Sequence, residues 1–234
     1  MTLISVVKDV CAVVGVTAPQ SVFTNITGNR TMQEMVSLAN EMAQRIAYDY
    51  RDWTKLRTTV TYAGNGIITA FNLPANYKRM LLTANVWRST SNLFPMAFVS
   101  DTDEWLNHRL RSYTHMYGEW TLLGGQIHVY PVMPVGQSAY FAYMDKNCVA
   151  LNGGGFGDSF LNDLDGFVLD ERLLKLGMIM QWKMNKGGAY AEDMGTFGDA
   201  MAVAMGHDSP APIIVDRRVL SAEPANASWG SWPT

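Results

Sequence analysis

The stretch from Glu119 to Tyr143, EWTLLGGQIHVYPVMPVGQSAYFAY, constrains this chain more than any other. It predicts two strands. The first is pinched by Gly124-Gly125 and closed by Pro131, and the second runs from Ser138 to Tyr143. Pro131 and Pro134 make the link between them a turn, because proline fixes φ and cannot donate to a ladder. Ile127, Val129, Tyr140 and Ala142 alternate with His128, Tyr130, Phe141 and Tyr143, a period near two that places the aromatics on the outer positions. Helical patterns lie before and after, so this pair anchors a sheet with helices gathered elsewhere. The predicted class is α+β.

Before it, Leu3, Val6, Val7, Val10 and Val14 fall on one helical face that Gly15 can end with a left-handed cap. Thr31-Met32-Gln33-Glu34 has the form of a capping box, opening a helix striped by Met35, Leu38, Ala39, Met42, Ile46 and Tyr50. Asp52 then starts a short turn through Leu56. β-branched residues crowd Thr58 to Tyr62, Ala63-Gly64-Asn65-Gly66 supplies positive-φ positions, and Ile67 to Leu73 reads as the partner strand of a hairpin. Met80 to Arg88 is a third candidate strand. Asp101-Thr102-Asp103-Glu104 opens a short helix through Trp105 and Leu110.

After it, the glycines of 153–157 mark a flexible joint. Leu169, Leu173, Leu176, Met180 and Met184 line one helix, and Tyr190, Met194, Phe197, Met201 and Met205 line another. Gly187-Gly188 joins them, which predicts antiparallel packing. Asp163 or Asp165 is expected to cap the first of these helices, with Asp170 and Glu171 complementing its dipole. The organisation is therefore a helical core (1–57 and 151–207), an inserted antiparallel β region (58–150) and an extended C-terminal arm (208–234). Pro210, Pro212, Pro224 and Pro233 exclude a regular helix from that arm. Its Ile213-Ile214-Val215, Arg217-Arg218, Trp229 and Trp232 make it an anchor for another surface, since tryptophan buries large area at interfaces.

Composition narrows the function classes. A charged fraction of 17% with 7 Trp, 10 Tyr and 15 Met leaves apolar surface that favours self-association. A net charge of −3 argues against a dedicated nucleic-acid binder, which needs a basic stripe. Cys11 and Cys148 form no framework and are expected to be reduced and buried. Lys8 and Asp9 interrupt the N-terminal apolar stretch, so it is neither a signal peptide nor a membrane span.

The search for chemistry ends without a catalytic residue, cofactor site or metal site. His108, His115, His128 and His207 show no H-E-x-x-H, and no Cys or carboxylate stands at ligand spacing. The glycine run lacks Gly-Lys-Ser/Thr. Asp163-Leu164-Asp165-Gly166 resembles half of a calcium loop, but the register puts Leu161 and Arg172 where oxygen ligands belong. Asp101, Asp103, Glu104 and Glu119 are the carboxylates from which a glycosidase pair would be drawn.

In order along the chain stand the Val14-Gly15-Val16 helix end, Tyr50-Arg51-Asp52-Trp53 with Leu56, Leu73-Pro74 and Tyr77-Lys78-Arg79. Glu104-Trp105, the Gly125–Pro131 strand with Pro134, the aromatic strand ending at Tyr143, the helical pair and the tail follow. In this order the chain resembles the bacteriophage head-to-tail adaptor proteins of the podophage tail-accessory-factor type. The resemblance implies a virion protein, assembled in the host cytoplasm, that forms a ring of commonly twelve subunits beneath the portal. Such a ring joins the portal to a tail, neck or stopper protein, and viral DNA passes through its lumen without specific binding. It implies that the C-terminal arm climbs onto the portal. Two other functions are weighed: a tail-associated cell-wall hydrolase, and a carbohydrate-binding module using Trp105 and Trp120 as stacking platforms.

Overall fold

The structure is a computed structural model that describes residues 2–24, 28–81, 84–89 and 94–208. The fold is α+β. Helix α1 (Leu3–Val14) buries Leu3, Val6, Val7, Val10 and Cys11, and Gly15 ends it in the left-handed region at φ 74° as its position predicts. Helix α2 (Arg30–Tyr48) buries Met35, Leu38, Ala39, Met42 and Ile46. Its cap is Asn29 rather than Thr31: the Asn29 side chain accepts from the amides of Thr31 (3.1 Å) and Met32 (3.4 Å). Asparagine caps as well as threonine does, and Glu34, the other half of the expected box, is drawn away to Lys186 at 2.6 Å.

A 3-10 turn at Thr54–Leu56 leads into strands β1 (Arg57–Ala63), β2 (Ala70–Asn72), β3 (Tyr77–Met80), β4 (Trp87–Arg88) and β5 (Ala97–Phe98). Helix α3 (Thr102–Leu110) follows, capped by Asp101, which accepts from Asp103 N at 2.9 Å. Then come β6 (Glu119–Leu123), β7 (Gln126–Tyr130) and β8 (Ser138–Asp145), and the two-residue strands β9 (Val149–Ala150), β10 (Phe156–Gly157) and β11 (Gly166–Phe167). Helices α4 (Glu171–Asn185) and α5 (Ala191–Asp208) complete the described chain.

The strands pair differently from the sequence expectation. β1 does not form a hairpin with the segment after it. It runs antiparallel to β8 along its whole length, from Arg57 opposite Met144 to Ala63 opposite Ser138, while β2 joins β7. The Gly64 and Gly66 amides donate to Gln137 O (2.8 Å) and Met133 O (2.9 Å), so the glycines hold β1 to the segment entering β8. The close hairpin is β6–β7, whose Gly124 and Gly125 both have positive φ, as a type I′ turn requires. The Pro131–Pro134 link is a crossover between two sheets rather than a turn within one: β2-β7-β6-β5 on one side, β1-β8-β3 with β4 on the other.

Those two sheets enclose a core of Val86, Met96, Trp120, Ile127, Val129, Met133, Ala139, Phe141 and Tyr143. Phe141 and Tyr143 therefore point inward and Tyr140 is exposed, reversing the expected faces of that strand. A second core lies among α1, α2, α4 and α5, and takes in Trp53, Leu56, Cys148 and Phe167. β8 joins the two: Tyr143 belongs to the inter-sheet core and Met144 to the helical one. Successive side chains of a strand face opposite ways, so one strand serves both.

α4 is the hub of the helices. Lys175 reaches Asp9 of α1 (2.9 Å) and Lys183 reaches Asp193 of α5 (2.7 Å), while Lys186, just past the end of α4, reaches Glu34 of α2. Each pair is partly solvated and screened by water, so apolar burial dominates. Lys183 meets Asp193 while the earlier Gly177 meets Phe197, so α4 and α5 run antiparallel about their glycine turn. The face of α4 differs from the expected stripe. Leu174, Met178, Ile179 and Trp182 are buried beside Leu173, whereas Met184 is exposed. α5 buries Phe197 and Met201 and exposes Met194, and Tyr190 just before it is exposed too. Three helices contact α4, so more of its circumference is covered than one stripe supplies.

Asp170, not Asp163 or Asp165, caps α4 by accepting from Arg172 N at 2.8 Å. Asp163 accepts from Val22 N (2.8 Å) and Phe23 N (3.3 Å). The backbone carbonyls of Asp163 and Asp165 receive Ile4 N and Leu3 N, satisfying amides that the first turn of α1 leaves open. Cys11 and Cys148 are free and fully buried.

Candidate functional site

The residues assigned to the arm, Ile213, Ile214, Val215, Arg217, Arg218, Trp229 and Trp232, lie outside the described residues. The last described element before them is α5. α5 ends at Asp208, whose carboxylate accepts from Thr54 N (3.1 Å to each oxygen) and from the Thr54 hydroxyl. Arg51 Nε stands 3.4 Å from the same carboxylate, and Arg51 Nη1 donates to Met205 O. The last turn of α5 is thereby tied to the segment between α2 and β1, a contact 154 residues away in sequence. Beside it opens a cavity of about 320 Å³ lined by Trp53, Lys55, Leu169, Asp170, Ala204 and His207.

A second constellation lies at the other core. α3 buries only Trp105, whose ring meets His128 and Tyr130 edge-on beneath the Arg109 guanidinium. Past α3, Ser112 takes φ 54°, Tyr113 N donates to His108 O, and Gly118 N donates to His115 O with Gly118 at φ 86°. The segment thus folds back on the helix it leaves. That return brings His115 beside His108 and delivers Glu119 as the first residue of β6, between β5 and β7.

Glu119 is completely buried. Its Oε2 lies 2.9 Å from His108 Nδ1 and 3.9 Å from His115 Nε2, while its Oε1 is buried with no hydrogen-bond partner. Glu104 Oε1 stands 3.8 Å from the opposite ring nitrogen of His108. The sequence expectation that no carboxylate approaches the histidines is corrected here. No helix carries the pattern: His108 and Glu119 are eleven positions apart and meet only because the intervening segment reverses. The i, i+4 spacings of Glu104 with His108 and of His115 with Glu119 are the legible traces.

Among the remaining candidates, Trp105 and Trp120 are buried and offer no open face for stacking a sugar. Asp101 is occupied as a helix cap. Asp165, of the partial calcium-loop pattern, turns both carboxylate oxygens onto backbone amides: Oδ1 onto Asn152, Oδ2 onto Leu161 and Asn162. No helix of the described residues is long and apolar enough to cross a membrane. No protein-family model matches the sequence, and no curated protein matches it.

Proposed function

We propose that this chain is a structural virion protein, a head-to-tail adaptor whose copies form a ring beneath the portal and extend the DNA channel toward the tail or neck. The observation that carries the reading is the pinned end of α5. Asp208, Thr54 and Arg51 hold the last turn of α5, the helix that residues 209–234 follow in sequence. Those residues combine four prolines with Ile213-Ile214-Val215, Arg217-Arg218, Trp229 and Trp232, a composition suited to gripping a partner protein. The portal is that partner, with the tryptophans as apolar anchors and the arginines paired to acidic groups.

The helical face supports self-association. Met184, Tyr190 and Met194 are exposed at the end of α4, in the following turn and at the start of α5, apolar surface that a neighbouring copy would cover. Net charge of −3 suits a lumen through which DNA slides, because each phosphate neutralised by protein adds affinity and would hold the duplex back.

The test is truncation after Asp208, mixing with the portal protein, and negative-stain imaging. The intact chain is expected to form rings on the portal. The truncated chain is expected to keep its circular-dichroism spectrum and melting temperature but leave the portal bare. Normal attachment of the truncated protein would remove the arm from the account, and failure of the intact chain to join any portal would remove the adaptor reading.

A further inference from the structure

We propose that His108, His115 and Glu119 bind a divalent transition-metal ion, zinc by preference, as a staple that holds the segment after α3 against the sheet. The three offer two imidazoles and one carboxylate, with ligand atoms all within 4.8 Å of one another. Nitrogen-rich sets of this kind favour zinc over calcium or magnesium, which take oxygen ligands.

The buried carboxylate is the decisive observation. Hydrogen bonding to His108 occupies Oε2 and leaves Oε1 without a partner in a fully buried side chain. An uncompensated buried acceptor is costly, more so when charged. A cation between Oε2 and the two imidazoles would neutralise this buried carboxylate, whose second oxygen no protein group meets. Zinc–nitrogen and zinc–oxygen distances of about 2.0–2.2 Å imply edges of about 3.3–3.6 Å between tetrahedral ligands. The separations here, 2.9 Å from Oε2 to His108 and 3.9 Å to His115, bracket that range. The adjustment falls on His115, whose side chain is 43% exposed.

The ring of His108 is also set for the task. Nδ1 faces Glu119 and His115, while Glu104 lies on the Nε2 side. Glu104, at 3.8 Å, makes no hydrogen bond to the ring, and the fourth coordination position is left to water.

The consequence is local order. Apart from Trp105, α3 buries nothing against the sheet, and the segment it leads into carries Met116 at 88% exposure beside the end of α3, where Leu110 is 86% exposed. A metal joining His108 of α3, His115 of the return segment and Glu119 of β6 fixes those protrusions relative to the sheet.

The experiment uses the full chain, without a histidine tag, stripped by chelator and titrated with zinc chloride by calorimetry, and separately with cobalt(II) by visible absorption. Expected are one equivalent per chain, a melting temperature that rises with zinc, and cobalt bands of tetrahedral intensity. His115→Ala, at a half-exposed position, is expected to keep the zinc-free melting temperature and to lose affinity by a factor of about ten to a hundred or more. Glu119→Gln is the second variant, expected to lose stoichiometric binding. Absence of stoichiometric uptake by the wild-type chain would overturn the proposal, as would zinc affinity in His115→Ala equal to wild type.

Discussion

Gly64 stands so close to Met133 that a Cβ built on it would lie 2.5 Å from both the Met133 Cβ and the Met133 carbonyl oxygen, and 2.7 Å from Pro134 O. These are rigid groups, so the contact cannot be relieved by swinging a side chain away. The contact is where the end of β1 is held to the crossover that enters β8. Gly64→Ala is therefore expected to destabilise the protein by about 1–3 kcal/mol, the usual range for overpacking. Gly198→Ala is the control of opposite sign. It lies exposed in α5 with nothing within 4 Å of an added Cβ, and should gain about 1 kcal/mol of helix propensity. Urea unfolding midpoints of both variants, with the slope checked for constancy, decide the matter.

Asp165 organises the region from the small β9 sheet to α1. One buried side chain, 1% exposed, receives the amides of Asn152 (2.9 Å), Leu161 (2.7 Å) and Asn162 (2.7 Å), while its backbone oxygen receives Leu3 N. Asp165→Ala removes the acceptor of three amides at once and is expected to cost about 1–3 kcal/mol, because the acceptor is buried while Asn152, Leu161 and Asn162 are exposed residues whose amides water can partly re-satisfy. Asp165→Asn keeps one carbonyl oxygen and should fall between that variant and wild type. Adding calcium chloride should shift the wild-type melting temperature no more than an equal ionic strength of sodium chloride does.

The helices were largely legible because their evidence is local. Leu3 through Val14 with Gly15 prescribes α1, and Met35 through Ile46 prescribes the buried face of α2. The strands were less so. Ala63-Gly64-Asn65-Gly66 has the chemistry of a hairpin turn, yet β8 offers β1 seven paired positions and an aromatic inner face, and that long-range partner prevails. Period two likewise locates a strand without saying which parity faces inward, so Phe141 and Tyr143 were placed on the wrong side. The histidine–glutamate cluster is a product of chain reversal at Ser112 and Gly118, and a spacing rule for helices cannot register it.

Alkaline pH should unfold the protein through its buried acids. Burial pushes the Cys11 and Cys148 thiols above their usual 9.0. It also raises the Tyr62 hydroxyl from 10.0 to about 12, Tyr48 further, and Tyr77 and Tyr143 in the same direction. All are neutral when protonated. The unfolded chain therefore loses these protons first as pH rises, and the folded state is penalised from the unfolded pKa upward. The urea midpoint is expected to hold steady up to about pH 8.5 and fall from about pH 9 to 11. Replacing both cysteines by alanine should move the onset toward about pH 10, leaving the tyrosine part. A flat profile to pH 11 would contradict the assigned burial.

Asp208 occupies a position that the helix dipole disfavours, since a carboxylate in a last turn faces the partial negative charge of unpaired carbonyls. Its partners account for it: two contacts from the Thr54 amide, one from the Thr54 hydroxyl, and Arg51 at 3.4 Å. Asp208→Ala should strand the Thr54 amide and loosen the last turn of α5, at a cost of about 1–2 kcal/mol. Asp208→Asn keeps an acceptor and eases the dipole conflict while giving up charge pairing with Arg51, so it should lie nearer wild type. Hydrogen exchange separates local from global effects. Amides from Ala204 to Asp208 should exchange faster in Asp208→Ala, while those of α2 and of α4 near Met178 change only by the small global loss. Equal acceleration across all helices would mean that this contact supports the whole helical core rather than the last turn of α5 alone.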